Sequence, residues 1–268
     1  MGNRRAMRSS DPMLPDHSPV PACPACLCEQ RHPWHRKNGY DVVECDRCGF
    51  RYVSELPSDE FLRAHYRSSY CQSDGTFQPK GGLLRRLKYR AFAVWFKRAI
   101  LRHRESAADA VRILELGCGQ GDLLKAFSGD ASVRVTGMDY AAGPIGHLRE
   151  RGFDAHLGGL DEAPVGPESL DGIVMLHVLE HVRDPGAVIA HAARLLKRGG
   201  LLYVVCPCSG HIKARIAGDR WKYLGPPDHL WYFTPRSMRT MAARMGFDVL
   251  RSSNLYHRAH VTLVAKKL

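Results

Sequence analysis

The C-terminal part of the chain alternates short apolar runs with helical stretches, and this alternation limits its possible folds more than any other feature. The runs VRILELG, VRVTGMD, LDGIVML and GLLYVVC have the length and composition of strands. PGAVIAHAARLLKRGG, which precedes the last of them, is an amphipathic helical pattern that ends at two glycines. FDVLRSS and AHVTLVAKK add two strand candidates near the C-terminus. The pattern predicts an α/β fold, in which helices cover both faces of a mostly parallel sheet.

Length and composition set the outer limits of the prediction. The 268 residues suffice for one full α/β domain and a small accessory module. A net charge of +12 attracts phosphate esters, nucleic acid or acidic lipid surfaces without choosing among them. No run approaches the ~18 apolar residues of a membrane-spanning helix, and the first residues lack the apolar core of a signal peptide. We therefore expect a cytoplasmic protein, in which cysteines serve as thiols or metal ligands rather than disulfides.

The texture of the sequence divides the chain into four segments. Residues 1–20 are polar and interrupted by prolines, so we expect them to be disordered. Residues 21–55 hold five of the nine cysteines and form a compact module. Residues 56–105 are helical and end in a basic amphipathic helix. Residues 106–268 form the α/β domain.

Two Cys-x-x-Cys pairs, Cys23 with Cys26 and Cys45 with Cys48, are separated by eighteen residues. Each pair can bind one ion from a single turn, and two such turns complete a tetrahedral Zn²⁺ site. Four protein ligands close the coordination sphere, which predicts a structural zinc. Cys28 leaves an alternative open, in which it replaces Cys26 as a ligand. The other cysteines lack a partner turn and are interpreted as packing residues: Cys71, Cys118, Cys206 and Cys208.

The first strand candidate of the α/β domain runs into the glycine-rich turn ELGCGQG, residues 115–121. A dinucleotide fingerprint starting at Gly117 would need glycine at position 122, where Asp122 stands, and no Gly-Lys-Ser/Thr of a P-loop follows. Eighteen residues after Gly121, Asp139 ends the next strand candidate. A carboxylate at that place can accept hydrogen bonds from both hydroxyls of a ribose.

This glycine turn resembles the cofactor loop of class I S-adenosylmethionine-dependent methyltransferases. LDGIVMLHVLEHVRDP and LLKRGGLLYVVCP resemble the fourth and fifth strands of that family with their loops, and the resemblance covers residues 111–268. It implies a Rossmann-like, mostly parallel sheet of seven strands that binds S-adenosylmethionine. The cofactor contacts that it implies are Glu115, Gly117, Cys118, Gly119, Gly121, Asp139, Tyr140, Leu160 and Met175.

The chain departs from the family pattern near the expected adenine. Many relatives carry an Asp-Ala pair where this chain has Gly159 and Leu160. Backbone groups and apolar packing, with Asp161 nearby, would then hold the adenine. The zinc-binding module makes the chain similar to bacterial sugar C-methyltransferases and other zinc-module methyltransferases. The resemblance therefore implies a methyltransferase that acts on a small molecule, such as a sugar or a lipid-linked glycan.

Two loops supply candidate catalytic residues. His177, Glu180 and His181 form an H-x-x-E-H sequence after the fourth strand, which in this context does not indicate a protease. Quinone-pathway O-methyltransferases carry E-x-x-E-H there, and the resemblance implies a divalent metal; the alternative is that these residues only orient the loop. In the second loop, the Asp228-His229 pair matches an acid-histidine pair of sugar C-methyltransferases. We predict His229 as the general base, helped by Asp228, with His177 positioning the substrate.

Two further features support more than one interpretation. Tyr66 and Tyr70 match tyrosines that cover the cofactor and substrate in relatives, and helical core packing explains them equally well.

Residues 80–104 contain nine Lys and Arg and no acid. Arg86, Arg90, Lys97 and Arg104 are assigned to one helical face and Leu84, Leu87, Ala91 and Trp95 to another. This segment could pack on the domain with a charged outer face, lie on a membrane surface or bind nucleic acid.

An RNA base methyltransferase with a zinc module is the alternative function, and the net charge suits it. Against it, the chain has Cys45-x-x-Cys48-Gly49 without the histidine that follows the third cysteine in such relatives. It also has MLHVLEH in place of an Asn-Pro-Pro-Tyr signature. A third hypothesis is a scaffold that binds the cofactor without catalysis, and the intact glycine turn with Asp139 disfavours it.

Overall fold

A computed structural model describes residues 17–70, 82–104, 109–254 and 259–268 of the chain. Most of the predicted disordered tail, residues 1–16, lies outside this range, as does Cys71. The end of the tail is ordered, contrary to the prediction, because strand β1 (Ser18–Pro19) pairs antiparallel with β5 (Glu55–Leu56). A paired strand thus precedes the first cysteine turn.

The cysteine-rich segment is built on a short antiparallel meander. Its strands are β2 (Arg31–Lys37), β3 (Tyr40–Cys45) and β4 (Arg51–Val53). Asn38 and Gly39 join β2 to β3 with φ of 52° and 84°, the positive pair that a two-residue type I′ hairpin requires. The hairpin sets the register in which Cys45, at the end of β3, faces the first cysteine turn.

The α/β domain contains a seven-stranded sheet. Its strands are β6 (Val111–Leu116), β7 (Val133–Asp139), β8 (Ala155–Leu157), β9 (Leu170–Leu176), β10 (Leu196–Pro207), β12 (Phe247–Ser253) and β13 (His260–Lys267). They lie in the order β8-β7-β6-β9-β10-β13-β12, and β13 runs antiparallel to both of its neighbours. The predicted mostly parallel, Rossmann-like sheet is confirmed. Of the strands in this sheet, only β8 was not predicted, because three residues are too few to show an apolar strand pattern.

Seven α-helices are described. They are α1 (Asp59–Tyr70), α2 (Leu83–His103), α3 (Asp122–Phe127), α4 (Ala142–Glu150), α5 (Pro185–Leu195), α6 (Ile212–Ala217) and α7 (Pro235–Arg244). Helix α5 starts where Asp184 accepts a hydrogen bond from the Ala187 N–H at 2.9 Å. It ends before the predicted glycines, because Leu196 already pairs with Leu170 of β9. The glycines instead form a bulge in β10, where a side chain on Gly199 would lie 2.7 Å from the His103 carbonyl oxygen.

Helix α2 packs on the sheet with a face that was not predicted. Ala93, Phe96 and Ile100 are buried, and the last two cover Gly172 of β9. A side chain at Gly172 would lie 2.8 Å from the Ile100 Cδ1 and 2.9 Å from the Phe96 Cε1, so the missing Cβ selects this contact. The predicted apolar face of Leu84, Leu87, Ala91 and Trp95 is exposed instead. Arg104 does not share a solvated basic face, because its nearly buried guanidinium pairs with Asp171.

The cysteine-rich segment and the α/β domain share a sheet. Strand β11 (Trp231–Tyr232) pairs antiparallel with β4 and completes a four-stranded sheet in the order β11-β4-β3-β2. Its side chains join Phe50 and Phe233, whose ring centroids are 4.9 Å apart, in a buried aromatic cluster. Arg244 of α7 also donates to the carbonyls of Pro24 and Ala25 at 2.9 Å each. Strand β11 and the Arg244 side chain, which follow much later in the chain, thus bind to the predicted module of residues 21–55.

Candidate functional site

The four predicted cysteine ligands lie together. The Sγ atoms of Cys23, Cys26, Cys45 and Cys48 are all within 4.8 Å of one another. Cys23 Sγ lies 3.6 Å from Cys48 Sγ, and Cys26 Sγ lies 3.4 Å from Cys45 Sγ. A tetrahedral zinc with ~2.3 Å Zn–S bonds requires sulfur atoms about 3.8 Å apart. The donor set and its spacing therefore fit Zn²⁺.

The thiols of this cluster perturb one another. A hydrogen bond between Cys23 and Cys48 raises the pKa of Cys23 and lowers that of Cys48 to about 5, as in two sulfurs that share a proton. Cys28 lies outside the cluster and donates to Gln30 Oε1 at 3.1 Å. The alternative in which Cys28 replaces Cys26 is therefore disfavoured by the geometry. Gly49, with φ of 67°, makes the positive-φ turn expected after the second pair.

The glycine turn between β6 and α3 is shaped by close contacts. Gly117, Gly119 and Gly121 have φ of 73°, 46° and 70°. A side chain at Gly117 would lie 2.5 Å from Val178 Cγ2, and one at Gly121 would collide with Leu148. The N–H groups of Gly117 and Cys118 both donate to the Met138 carbonyl, at 2.8 and 3.0 Å. These contacts fix the backbone of the glycine turn at the carboxyl ends of the strands. Ligands bind at this edge of α/β sheets.

The backbone fixes the carboxylate of Asp139 at the end of β7. Oδ2 accepts from the Gly119 N–H at 2.8 Å, and Oδ1 accepts from the Ala141 N–H at 2.9 Å. A carboxylate offers about four acceptor sites, so two remain for further donors. An oriented pair of free acceptor sites beside a glycine turn can bind the two hydroxyls of a ribose.

Glu115 lies at the end of β6 and is buried. Its Oε2 has no hydrogen-bond partner among the residues that the structure describes. Burial raises the pKa of Glu115 well above its usual value, and the nearby charges of Asp122 and Asp139 raise it further. Asp122 pairs with Arg85, so the carboxyl groups left beside the turn are Asp139 and Glu115, whose Oε2 has no partner. Two such groups favour a ligand that carries positive charge.

The region predicted for an adenine has its own internal contacts. The Tyr140 hydroxyl occupies the space that a side chain on Gly159 would need. The Gly159 N–H donates to Glu162 Oε2 at 2.9 Å, and Asp161 pairs with His191. Leu160 and Met175 are both buried in the main apolar cluster. The Gly159 N–H and the Asp161 carboxylate already have partners within the chain. Apolar packing is therefore the predicted adenine contact that fits this region best.

A cluster of histidines lies at the same edge of the sheet, next to the loop after β9. His181 Nδ1 donates to the Asp228 carbonyl at 2.6 Å, and His229 Nδ1 donates to the Tyr223 carbonyl at 2.7 Å. The two ring centroids are 4.7 Å apart. Because Nδ1 carries the proton in both rings, Nε2 carries the lone pair and can accept a proton or bind a cation.

Glu180 lies beneath these rings and is buried. Burial acts to raise its pKa, but His177, at 3.3 Å, and His181 hold that pKa below its usual value. Burial also lowers the pKa of His181, which favours its neutral form. Glu180, His181 and His229 each offer one ligand atom within 4.8 Å of the others. The site therefore combines a buried carboxyl group with two imidazole rings.

A family model described as a methyltransferase domain matches residues 83–252, which is more than half of the chain. The chain belongs to the methyltransferase domain family. The resemblance to class I S-adenosylmethionine-dependent methyltransferases that the glycine turn indicated is thus confirmed.

Curated relatives of this methyltransferase-family chain match parts of it. A Mycolicibacterium smegmatis protein named "Probable S-adenosylmethionine-dependent methyltransferase" is 34% identical over 123 residues, which are 42% of this chain and 45% of that protein. The ubiquinone biosynthesis O-methyltransferase of Thiobacillus denitrificans is 33% identical over 150 residues, 51% of this chain and 64% of that protein. This methyltransferase chain spans about half the length of the curated relatives that it matches.

Solved structures share the fold. Magnesium protoporphyrin IX methyltransferase from Synechocystis with bound SAH superimposes with a TM-score of 0.56 at 15% identity, covering 79% of this chain and 100% of that one. The [4+2]-cyclase SpnF superimposes with a TM-score of 0.51 at 19% identity, covering 66% and 81%. Because a cyclase also has this fold, the fold alone does not define the reaction of this methyltransferase-family chain.

The structure rearranges the predicted catalytic set. His177, with a φ of 58°, stacks edge-on against His260 at 4.6 Å and is not in the group formed by Glu180, His181 and His229. The Asp228 carboxylate lies 2.6 Å from His65 Nε2, and the Tyr223 carbonyl is the group that orients His229. A backbone carbonyl thus orients His229, and the assistance of Asp228 to His229 stays a prediction. The side chains of Tyr66 and Tyr70 lie outside the described residues.

Sequence reasoning missed two members of this histidine cluster. His260 begins β13, and its Nε2 shares a hydrogen bond of 3.0 Å with the Tyr223 hydroxyl. Since β13 runs antiparallel, its first residue lies at the edge where the parallel strands end. The antiparallel strand of the family sheet was the signal that could have placed His260 here.

Proposed function

We propose that this chain transfers the methyl group of S-adenosylmethionine to a small-molecule acceptor. The observation that carries the proposal is the Asp139 carboxylate, which two backbone N–H groups hold beside the glycine turn. The family match and the relatives that are named as methyltransferases support it. Glu115, Gly117, Cys118, Gly119, Gly121, Tyr140, Leu160 and Met175 are proposed to line the same cofactor site.

The charges at the turn match this cofactor. When bound, S-adenosylmethionine supplies a methyl group on a positively charged sulfur, and its ammonium is a second cation. Asp139 is proposed to accept the ribose hydroxyls, and the unpartnered Oε2 of Glu115 is proposed to face the positive charge. The open glycine backbone lets the ligand approach closely without side-chain contacts.

The histidine cluster is proposed to prepare the acceptor. His229 Nε2 is proposed to take the proton of the acceptor atom. S-adenosylmethionine, when bound, would supply the methyl group to that atom and would leave as S-adenosylhomocysteine. The Tyr223 carbonyl keeps the His229 lone pair on Nε2. His177 is proposed to position the acceptor. The remaining requirement is proximity and an in-line approach, which the rigid loop around residues 226–233 can provide.

The finer parts of the proposal concern the acceptor and the location. A sugar or lipid-linked glycan is proposed as the acceptor, in a cytoplasmic protein that contacts a membrane through residues 80–104. Among the described residues, no helix combines the length and apolar character needed to cross a membrane. The Cys23, Cys26, Cys45 and Cys48 cluster is proposed to hold a structural zinc, which leaves no open coordination position for chemistry.

Replacement of Asp139 by alanine tests the cofactor assignment. We expect the affinity for S-adenosylmethionine to fall by one to two orders of magnitude, roughly 1.4 to 2.8 kcal/mol, because two hydrogen bonds to the ribose are lost. Isothermal titration calorimetry measures it. Asp154→Ala is the matched control, since this exposed carboxylate contacts Thr136 and His156 and lies outside the proposed cofactor site. Equal affinity of Asp139→Ala and Asp154→Ala would remove Asp139 from the site.

The raised pKa of Glu115 predicts proton release on cofactor binding. A positively charged ligand favours the ionised carboxyl, so affinity should rise with pH through the pKa of the ligand-free protein. The stability of the ligand-free protein should change the opposite way. Its Glu115 pKa lies above the unfolded value, so this stability contribution is lost as pH rises through the folded pKa. Calorimetry in two buffers of different ionisation enthalpy measures the release, and Glu115→Gln should abolish it.

A further inference from the structure

Helix α2 is buried on one side only. Its inner face covers the sheet through Ala93, Phe96 and Ile100. Its outer side carries six large apolar side chains that are 43% to 75% exposed: Leu83, Leu84, Leu87, Val94, Trp95 and Leu101. Their spacing along 21 residues places them mainly on the half of the helix that faces away from the sheet, although the Trp95 ring also packs edge-on against Tyr203 of β10, with ring centroids 5.7 Å apart. The helix is therefore apolar on two sides, and the domain uses only one of them.

This concentration of exposed apolar surface is unusual for the molecule. Six of the thirteen exposed large apolar side chains in the described ranges lie on α2, although the helix holds 21 residues. Single exposed apolar residues need no explanation, whereas a contiguous patch marks a surface that is covered in use. On α2, Leu83, Leu84 and Leu87 lie within about one turn of one another, and Val94, Trp95 and Leu101 follow along the same side of the helix.

Cations surround this patch. The helix carries Arg85, Arg86, Lys88, Arg90, Lys97, Arg98 and Arg102 and no acidic residue. Arg85 pairs with Asp122, and Lys97 pairs with Asp130. In the described part of the chain, the other five cations of α2 have no ion-pair partner. The occupant of this surface therefore combines an apolar layer with negative charge.

We propose that the outer side of α2, defined by the six exposed apolar residues and the five unpaired cations, docks on an anionic lipid bilayer. An interfacial helix buries its apolar residues at the boundary of the acyl chains while its Lys and Arg meet the headgroups. The helix is about 30 Å long, so a full row of headgroups can contact it. A nucleic acid would use the cations but would leave most of these aliphatic side chains without partners, so the bilayer is the better match.

The docked helix has a consequence for the candidate active site. Arg85, near the start of α2, pairs with Asp122, the residue that directly follows the glycine turn. The start of the helix thus lies at the cofactor turn, and docking brings this edge of the domain to the lipid surface. Under the proposed methyltransferase function, on which this step rests, the acceptor class is an amphiphile whose reactive group lies at the headgroup level.

Vesicle co-sedimentation tests the docking with the full-length protein. We expect binding to vesicles that contain about a third of phosphatidylglycerol and weak binding to pure phosphatidylcholine. Arg90→Gln with Arg98→Gln should weaken the anionic-vesicle binding at least about tenfold, the scale of two lost surface cations. Leu87→Ser with Val94→Ser should weaken it as well. The matched controls are Arg220→Gln with Arg239→Gln and, for the apolar change, the exposed Leu250→Ser; both should bind as the unsubstituted protein does.

The outcomes separate docking from catalysis. Absence of binding to anionic vesicles, or equal binding of the α2 variants and their controls, overturns the docking, as does preferential binding of single-stranded RNA through the same cations. Thermal unfolding of each variant shows that the fold is intact. S-adenosylmethionine calorimetry on the same samples should give unchanged affinity. A protein that binds vesicles without binding S-adenosylmethionine would contradict the proposed function and leave the docking in place.

Discussion

Cys45→Ser protein should lose its zinc and the folding of its N-terminal segment together. Metal binding and folding are coupled at such sites, and structural zinc contributes about 10–16 kcal/mol in zinc-finger peptides. Here the effect should extend beyond the segment, because β4 follows Cys45 and Cys48 and pairs with β11. The exposed fraction of Trp231 should therefore rise, which tryptophan fluorescence reports.

Metal analysis and thermal unfolding measure this result. Unsubstituted protein should contain one zinc per chain. Cys28→Ser is the control, since Cys28 Sγ contacts Gln30 and lies outside the four-cysteine cluster. Zinc loss in Cys28→Ser, or no stoichiometric zinc in the unsubstituted protein, would contradict the assignment of the four ligands.

His229→Ala should lower kcat by ~10²-fold or more, the usual scale for loss of a general base. The Nε2 lone pair of His229 is the proton acceptor in the proposed reaction, and the Tyr223 carbonyl holds the ring in that tautomer. The affinity for S-adenosylmethionine should remain unchanged, because the proposed cofactor contacts lie at the glycine turn and Asp139. His147→Ala on α4 serves as the control and should turn over normally.

The measurement needs the acceptor, which mass spectrometry can find. Metabolites and glycans from cells with and without the gene should differ by the mass of one CH₂ in a single compound class. Turnover of His229→Ala at the normal rate would assign the proton to another group, with His177 and His260 as the next candidates.

The sequence predicted the elements whose cause is local. The strands β6, β7, β9, β10, β12 and β13 each combine an apolar run with a turn, so their pattern is complete within the segment. Helix α2 was predicted as a helix but with the wrong inner face. Both of its sides are apolar, and the choice between them depends on Gly172, which lies far away in sequence and leaves room for Phe96 and Ile100.

The candidate site divides in the same way. The glycines and Asp139 were predictable because a single βαβ unit contains the turn and the carboxylate. The histidine cluster was only partly predictable, since His229, His181 and His260 come from three separate segments, two loops and the start of β13, that meet through the sheet topology. The contact of the Asp228 carboxylate with His65 of α1 was not predicted, because the two residues are far apart in sequence and meet only in the folded chain.

The pairing of β11 with β4 has a consequence for synthesis. A ribosome releases the cysteine turns and the β2-β3-β4 meander first, so β4 emerges as an open edge strand. Its partner, Trp231–Tyr232, appears only after most of the chain has been made. During that interval the aromatic side chains of Phe50 and Tyr52 lack their cover, and an open strand edge can pair with other chains. Zinc bound by the nascent cysteine turns would hold the strands of the meander in register until β11 is synthesised. The yield of native protein should therefore depend on the zinc available during translation.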